Sequence, residues 1–221
     1  MPHTTSLAAL AGKRVAVLGS LAARAIWLSS HAEQAQTFTL LDTVDPREAL
    51  EEADFIVVLD WTSVEQIGTP HEVYHHPASE RVLKLFGPAN TLRGRLEFRT
   101  YADGGRPVFC STNGEPARLL PGWLSPVFEN ESGIVLIVRP HDVEVLAEQP
   151  HGTGGGPYVA AQVSRIHSAG PLVKVTLTSA GGESWTAELS HAQYQRQPFS
   201  LHQPVFLRPR AAYVFPVNYD I

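Results

Sequence analysis

EALEEADFIVVLD (residues 48–60), followed closely by EQIGTPHEVYHHPA (65–78), decides how the first part of this chain folds. Asp45-Pro46 opens a helix just ahead of it. Aspartate is a good N-cap, proline suits the first helical position, and Glu48 lies in the first turn. That helix is expected to run to about Ala53. Phe55–Leu59 is an apolar run of strand length and reads as a buried strand, with Val64–Ile67 as a short edge strand. Thr69-Pro70 starts another short helix, with Glu72 near its positive end. PASERVLKLF (77–86) has the period of an amphipathic helix, with Val82, Leu85 and Phe86 on one face.

Upstream, Val15–Leu18 is a buried-strand candidate closed by Gly19. Leu21–Ser29 is Ala-rich and helix-prone, and Thr37–Leu41 is a second strand candidate. Strand and helix alternate, so residues 1–87 are expected to form a partial α/β layer. Gly87-Pro88 ends the helical pattern and marks the domain boundary.

From residue 88 short strands alternate with Gly/Pro turns. The candidates are 95–101, 134–138, 143–146, 158–166, 172–178, 184–189, 205–207 and 213–215. Strands at this spacing suggest small OB-like barrels. HGTGGGP (151–157) reads as a flexible connection. VLIVRPHDVEVL (135–146) matches PVFLRPRAAYVF (204–215) position for position: apolar strand, Arg-Pro, short break, apolar strand. The repeat suggests two barrel-like units.

Composition excludes several classes. The chain has 221 residues, 43% hydrophobic and 18% charged, with a net charge of -5 and no run of like charge. Broad nucleic-acid binding is not expected. Cys110 is the only cysteine, so no disulfide forms within the chain, and it reads as a thiol in a strand. No stretch approaches the roughly 18–20 apolar residues of a membrane span. The first residues, MPHTTSLAALAGKR, lack a basic segment before their apolar run and do not read as a signal peptide.

The two opening stretches, together with IVLIVRPHDVEVL (134–146), VSRIHSAGPLVKVTL (163–177), ELSHAQY (188–194) and VFLRPRAAYVFPVNYDI (205–221), carry a resemblance. In this order they resemble the later part of the ATP-binding subunits of bacterial sulfate/thiosulfate ABC importers (CysA type). The resemblance implies that residues 1–87 are a truncated or degenerate ABC ATPase-like α/β segment. It implies that 88–221 are a TOBE-like β-barrel regulatory domain.

The motor motifs of that family are not in this sequence. A phosphate-binding loop needs Gly-Lys followed by Ser or Thr. Lys13 is followed by Arg14, Lys84 by Leu85 and Lys174 by Val175. The LSGGQ signature is missing, and the strand candidate RVAVLGS (14–20) ends without a carboxylate. The family's Thr-His-Asp switch triplet stands here as Thr43-Val44-Asp45, and valine cannot hydrogen-bond a phosphate. A dinucleotide-binding turn is excluded too, because Gly19 is followed by Ser20-Leu21-Ala22-Ala23 rather than further glycines. No catalytic residue and no cofactor are expected.

Ligand candidates lie in the second half. Arg139 and His141 follow a strand in Arg-Pro-His-Asp, as an anion or partner contact or as a turn fixed by Arg139. Arg165, His167, Ser168 and Lys174 flank the turn SAGP (168–171), where cations and turn N–H groups suit a small oxyanion. His71 and His75 have i,i+4 spacing but no third ligand, so no metal site is expected. The reading is a cytoplasmic, non-catalytic regulatory or assembly module, reaching the membrane only through a transporter complex. Its partners would be a second copy or an intact ABC ATPase subunit. An oxyanion module sensing sulfate or molybdate, or a relic without transport role, are the alternatives.

Overall fold

The computed structural model describes residues 6–61, 63–98, 107–112, 116–117, 133–149 and 158–217. It divides into two compact units, Met1–Gly87 and Pro88–Ile221. The connection expected at 151–157 lies outside the described residues, as do the last residues of the strand expected at 95–101.

In the first unit a 3-10 turn (Leu7–Leu10) leads into β1 (Arg14–Leu18), α1 (Leu21–Ser30), α2 (Ala32–Ala35) and β2 (Thr39–Leu41). Then come α3 (Pro46–Glu52), β3 (Phe55–Asp60), β4 (Ser63–Gly68), α4 (Pro70–His75) and α5 (Glu80–Leu85). The sheet order is β2-β1-β3-β4, with β1 parallel to both β2 and β3, and β4 antiparallel at the edge. Both faces of this sheet are covered. Val57 and Leu59 of β3 pack with Val15, Val17 and Trp27 on the α1 side. Ile56 and Val58 pack with Ala49, Val73 and Val82 from α3, α4 and α5. That explains why β3 reads as an unbroken apolar run.

The helix expected over 77–86 is shorter. Ser79 accepts a hydrogen bond from the Val82 amide and starts α5 at Glu80. Thr69 and Glu72 form a full capping box on α4. The Arg14 amide donates to the Asp54 carboxylate at 2.8 Å, and the Arg14 guanidinium lies 3.3 Å from it. These two contacts, the backbone one first, hold the Asp54 carboxyl below the usual carboxylate range.

Among the described residues the second unit is mostly β, with one α-helix. Its elements are β5 (Asn90–Phe98), β6 (Pro107–Ser111), β7 (Pro116–Ala117), β8 (Ile134–Val138), a 3-10 turn (Pro140–Asp142) and β9 (Val143–Leu146). They continue as β10 (Val159–Ala169), β11 (Leu172–Ser179), β12 (Ser184–Ser190), α6 (His191–Arg196), β13 (Pro204–Pro209) and β14 (Tyr213–Pro216). One five-stranded sheet has the order β14-β8-β5-β6-β7, and the other β12-β11-β10-β13-β9. All pairings are antiparallel, and neither sheet closes on itself. Side chains of both sheets fill one core, with Leu136, Val138, Val163, Leu177, Trp185 and Leu207 inside it.

The internal repeat is a pair of corners, not a pair of barrels. β8 belongs to the first sheet and β9 to the second; β13 belongs to the second and β14 to the first. Each copy therefore crosses between sheets, and the copies pair reciprocally: β9 with β13, and β8 with β14. The expectation of two barrel-like units is corrected accordingly. One shared core leaves neither copy able to stand alone.

Asn90 joins the sheets. Its amide nitrogen donates to the carbonyls of Val138 at 3.1 Å and Thr186 at 2.9 Å, and its oxygen accepts from the Thr186 amide at 2.6 Å. Val138 lies in the first sheet and Thr186 in the second, and Asn90 is buried. Ser111 of β6 adds a second link by donating to Glu183 at the β11–β12 turn, which also accepts from Ser179 at 2.9 Å.

Two outcomes are expected. Asn90→Ala removes a partner from the buried Val138 carbonyl and from the half-buried Thr186 backbone groups, and should cost roughly 1–3 kcal/mol in urea unfolding. Asp54→Asn should flatten the acid limb of stability. A depressed carboxylate stabilises above its unfolded value and loses that contribution as pH falls through the folded value. The gap between wild type and variant should thus be constant near neutrality and close at acid pH, which unfolding midpoints across a pH series measure.

Candidate functional site

Three of the sequence candidates, Arg165, His167 and Lys174, gather on the outward face of β10 and β11, beside β12. Cross-strand pairing sets Arg165 beside Thr176, which faces Thr186, and His167 beside Lys174, which faces Glu188. These six side chains line one cavity of about 290 Å³, walled by Pro88, Ala89, Asn90 and Pro140. The Asn90 clamp thus also forms part of the site.

A β-bulge aims Arg165. Regular alternation from the buried Ala161 and Val163 would turn Arg165 inward. The register shifts between Val163 and Arg165, so that Ser164 and Arg165 both face out and Ile166 packs on the core. The Ser164 hydroxyl donates to the Thr176 carbonyl at 3.0 Å and ties down the extra residue. Bulges commonly re-aim a side chain in this way.

Charges in the cavity are unequally committed. Lys174 pairs with Glu188 at 3.0 Å, and Glu188 is largely covered. Arg165 and His167 have no ionic or side-chain hydrogen-bond partner among the described residues. An exposed guanidinium, an imidazole and an ammonium held by one carboxylate make a shallow cationic cup. It suits a small anion that can accept several hydrogen bonds.

The remaining sequence candidates lie elsewhere. Arg139 is only 3% exposed and stacks 5.8 Å from the centre of the Tyr213 ring. Its carbonyl accepts from the Asp142 amide at 3.0 Å and closes the corner. It is thus a buried corner residue with no face on the cavity. His141 lies 3.8 Å from Asp142 and lines a second cavity, which shares Glu188 with the first. Ser168 is exposed at the end of β10 and lines neither.

Corner geometry accounts for Arg139. Laying one copy of the repeat on the other carries Arg139 onto Arg208 and Tyr213 back onto Glu144. Arg208 binds Glu144 at 2.6 Å and 2.7 Å. Each corner arginine thus reaches the equivalent residue of the other copy, once as an ion pair and once as a cation–π contact.

In the first unit the triplet Thr43-Val44-Asp45 is built into a cap. The Thr43 hydroxyl donates to Glu48 at 2.6 Å and accepts from the Asp45 amide at 3.1 Å; Asp45 caps α3, and Val44 points to solvent. Ser20 at the end of β1 caps α1. The imidazoles of His71 and His75 lie 4.6 Å apart, ring to ring, and among the described residues no cluster suited to a metal occurs.

Sequence reasoning missed α6 and with it Arg196. The signal was there: Ser190 and Gln193 form a capping box, the Ser-x-x-Gln pattern that precedes a helix.

Three comparisons bear on this arrangement. Residues 153–210 match the model of a TOBE-like domain. The sulfate/thiosulfate import ATP-binding protein CysA of Thermosynechococcus vestitus is 32% identical over 195 residues, which cover 88% of this chain and 48% of that protein. The protein of the same name from Burkholderia mallei is 33% identical over 195 residues, covering 87% and 50%. The chain spans about half the length of the curated relatives it matches. A solved structure of the cytoplasmic molybdate-binding protein ModG aligns with a TM-score of 0.43 at 12% identity, over 57% of this chain and 94% of that one. At that score the likeness does not extend to the ligand.

A buried, stacked Arg139 should matter to the fold. Arg139→Ala is expected to lower unfolding stability by roughly 2 kcal/mol, the scale of a desolvated cation–π contact. It should leave the residues that line the Arg165 cavity in place, which amide chemical shifts of the folded variant check.

Proposed function

Homologous over 88% of its length to sulfate/thiosulfate import ATP-binding proteins, this chain is, we propose, a non-catalytic regulatory or assembly module of an ABC importer of that kind. The observation that carries the reading is a contrast. The second unit, whose residues 153–210 match a TOBE-like domain, has one core and a cavity of its own. The α/β unit offers no phosphate-loop lysine, and its switch residues serve as helix caps. Such a unit docks and orients rather than hydrolyses. Its place is cytoplasmic, at the membrane only through a transporter, joined to a second copy or to an intact ATP-binding subunit.

Two measurements test this. The purified chain should show no ATP turnover; turnover that disappears on substituting one of its own residues refutes the reading. In size-exclusion with light scattering, the chain should co-elute with an intact ATP-binding subunit or form a dimer. Elution as a monomer under both conditions counts against an assembly role.

A second reading rests on the cup formed by Arg165, His167 and Lys174: a small oxyanion, such as sulfate or molybdate, would be the regulatory ligand. Glu188 competes with that anion for Lys174. Thermal titration with sulfate, thiosulfate, molybdate and tungstate should stabilise the chain, by about 2.7 kcal/mol at a hundred times Kd. Arg165→Gln should weaken binding about tenfold, the loss of one charge-assisted hydrogen bond, whereas Glu188→Gln should strengthen it. No stabilisation by any of the four anions removes this reading.

A further inference from the structure

The second cavity, about 190 Å³, opens between β9 and β12 beside α6. These strands are the two outermost of their sheet, and among the described residues no backbone hydrogen bond joins them. Where they come closest, Cα atoms lie within 8 Å across the gap. An inserted strand needs about 9.6 Å, twice the interstrand spacing, and direct pairing needs about 5 Å. The seam is therefore too narrow for an added strand, and no backbone hydrogen bond among the described residues closes it. What fits it is a small molecule or a single side chain.

The seam has a floor and a rim of different character. Val143, Val145 and Phe199 make an apolar floor, each largely buried. Arg196 at the end of α6 and Arg210 after β13 stand at the rim. The carboxylates nearby are committed. Glu144 is held by Arg208 at 2.6 Å and 2.7 Å and meets Arg210 only at 3.4 Å. Glu188 is held by Lys174. Arg196 has no ionic partner among the described residues. The lining thus pairs two arginines with two carboxylates that are already engaged, and leaves Arg196, among the described residues, as a cation without an ionic partner beside apolar surface.

We propose that this cavity is a separate binding site for a small organic carboxylate. The carboxylate faces Arg196 and Arg210, and the apolar body rests on Val143, Val145 and Phe199. Inorganic oxyanions suit it poorly, because the floor offers them no hydrogen bonds to replace those of water. The two cavities meet at Glu188, which lines both. The proposal stands independently of any transporter role.

The test is a titration of the nitrogen-15-labelled full chain with benzoate, followed by amide chemical shifts. Saturable shifts are expected at Leu189, Gln193 and Arg196. Neutral benzyl alcohol and inorganic sulfate should give none there. Arg196→Gln and Arg210→Gln should each weaken benzoate about tenfold, the worth of one charge-assisted hydrogen bond. Arg196 makes no ion pair that the fold needs, so the spectrum of that variant should otherwise match the wild type. The proposal is overturned if benzoate gives no saturable shift or shifts residues around Arg165 instead. It is equally overturned if benzyl alcohol binds as well, or if both variants bind benzoate normally.

Discussion

One buried carboxamide holds the second unit together. Asn90 satisfies backbone groups on β8 and β12, which belong to different sheets. Sheets packed face to face are held chiefly by apolar side chains that interdigitate, an attraction without direction of its own. Three bonds from one side chain supply that direction. They fix the two sheets in register with each other, and they also set a wall of the cavity that holds Arg165, His167 and Lys174. Fold and site share a single constraint.

Local patterns made most of the fold readable. The unbroken apolar run of Phe55–Leu59 announced a doubly covered strand, and Asp45-Pro46 and Thr69-Pro70 announced helix starts. Most strands of the second unit were visible as alternating segments. What escaped depends on distant partners. The internal repeat was legible as similarity, but its meaning, strands exchanged between two sheets, is a property of pairing that no local window contains.

The candidate site was legible to the same degree. Arg165, His167 and Lys174 were chosen for their chemistry near a turn, and strand pairing brings them together. Arg139 had the same chemistry and went inward, because Tyr213, from the other copy of the repeat, supplies an aromatic face. Sequence could not separate these two arginines. One trace did exist: the alternation of Ala161 and Val163 fails at Arg165, and a broken alternation is the mark of a bulge.

The reciprocal corners carry a consequence for how the chain comes to be folded as it is made. β13 and β14 (204–216) each complete a different sheet, pairing with β9 and β8 made much earlier. Until those residues leave the ribosome, both sheets lack a strand and the common core is open along two edges. Contacts so far apart in sequence form late and slowly. The first unit, built from near neighbours, can close much sooner. Synthesis of residues 1–221 therefore passes through a stage in which a folded α/β unit carries an unfinished, edge-exposed β unit. At that stage chaperones have a surface to hold and unwanted strand pairing has an opening.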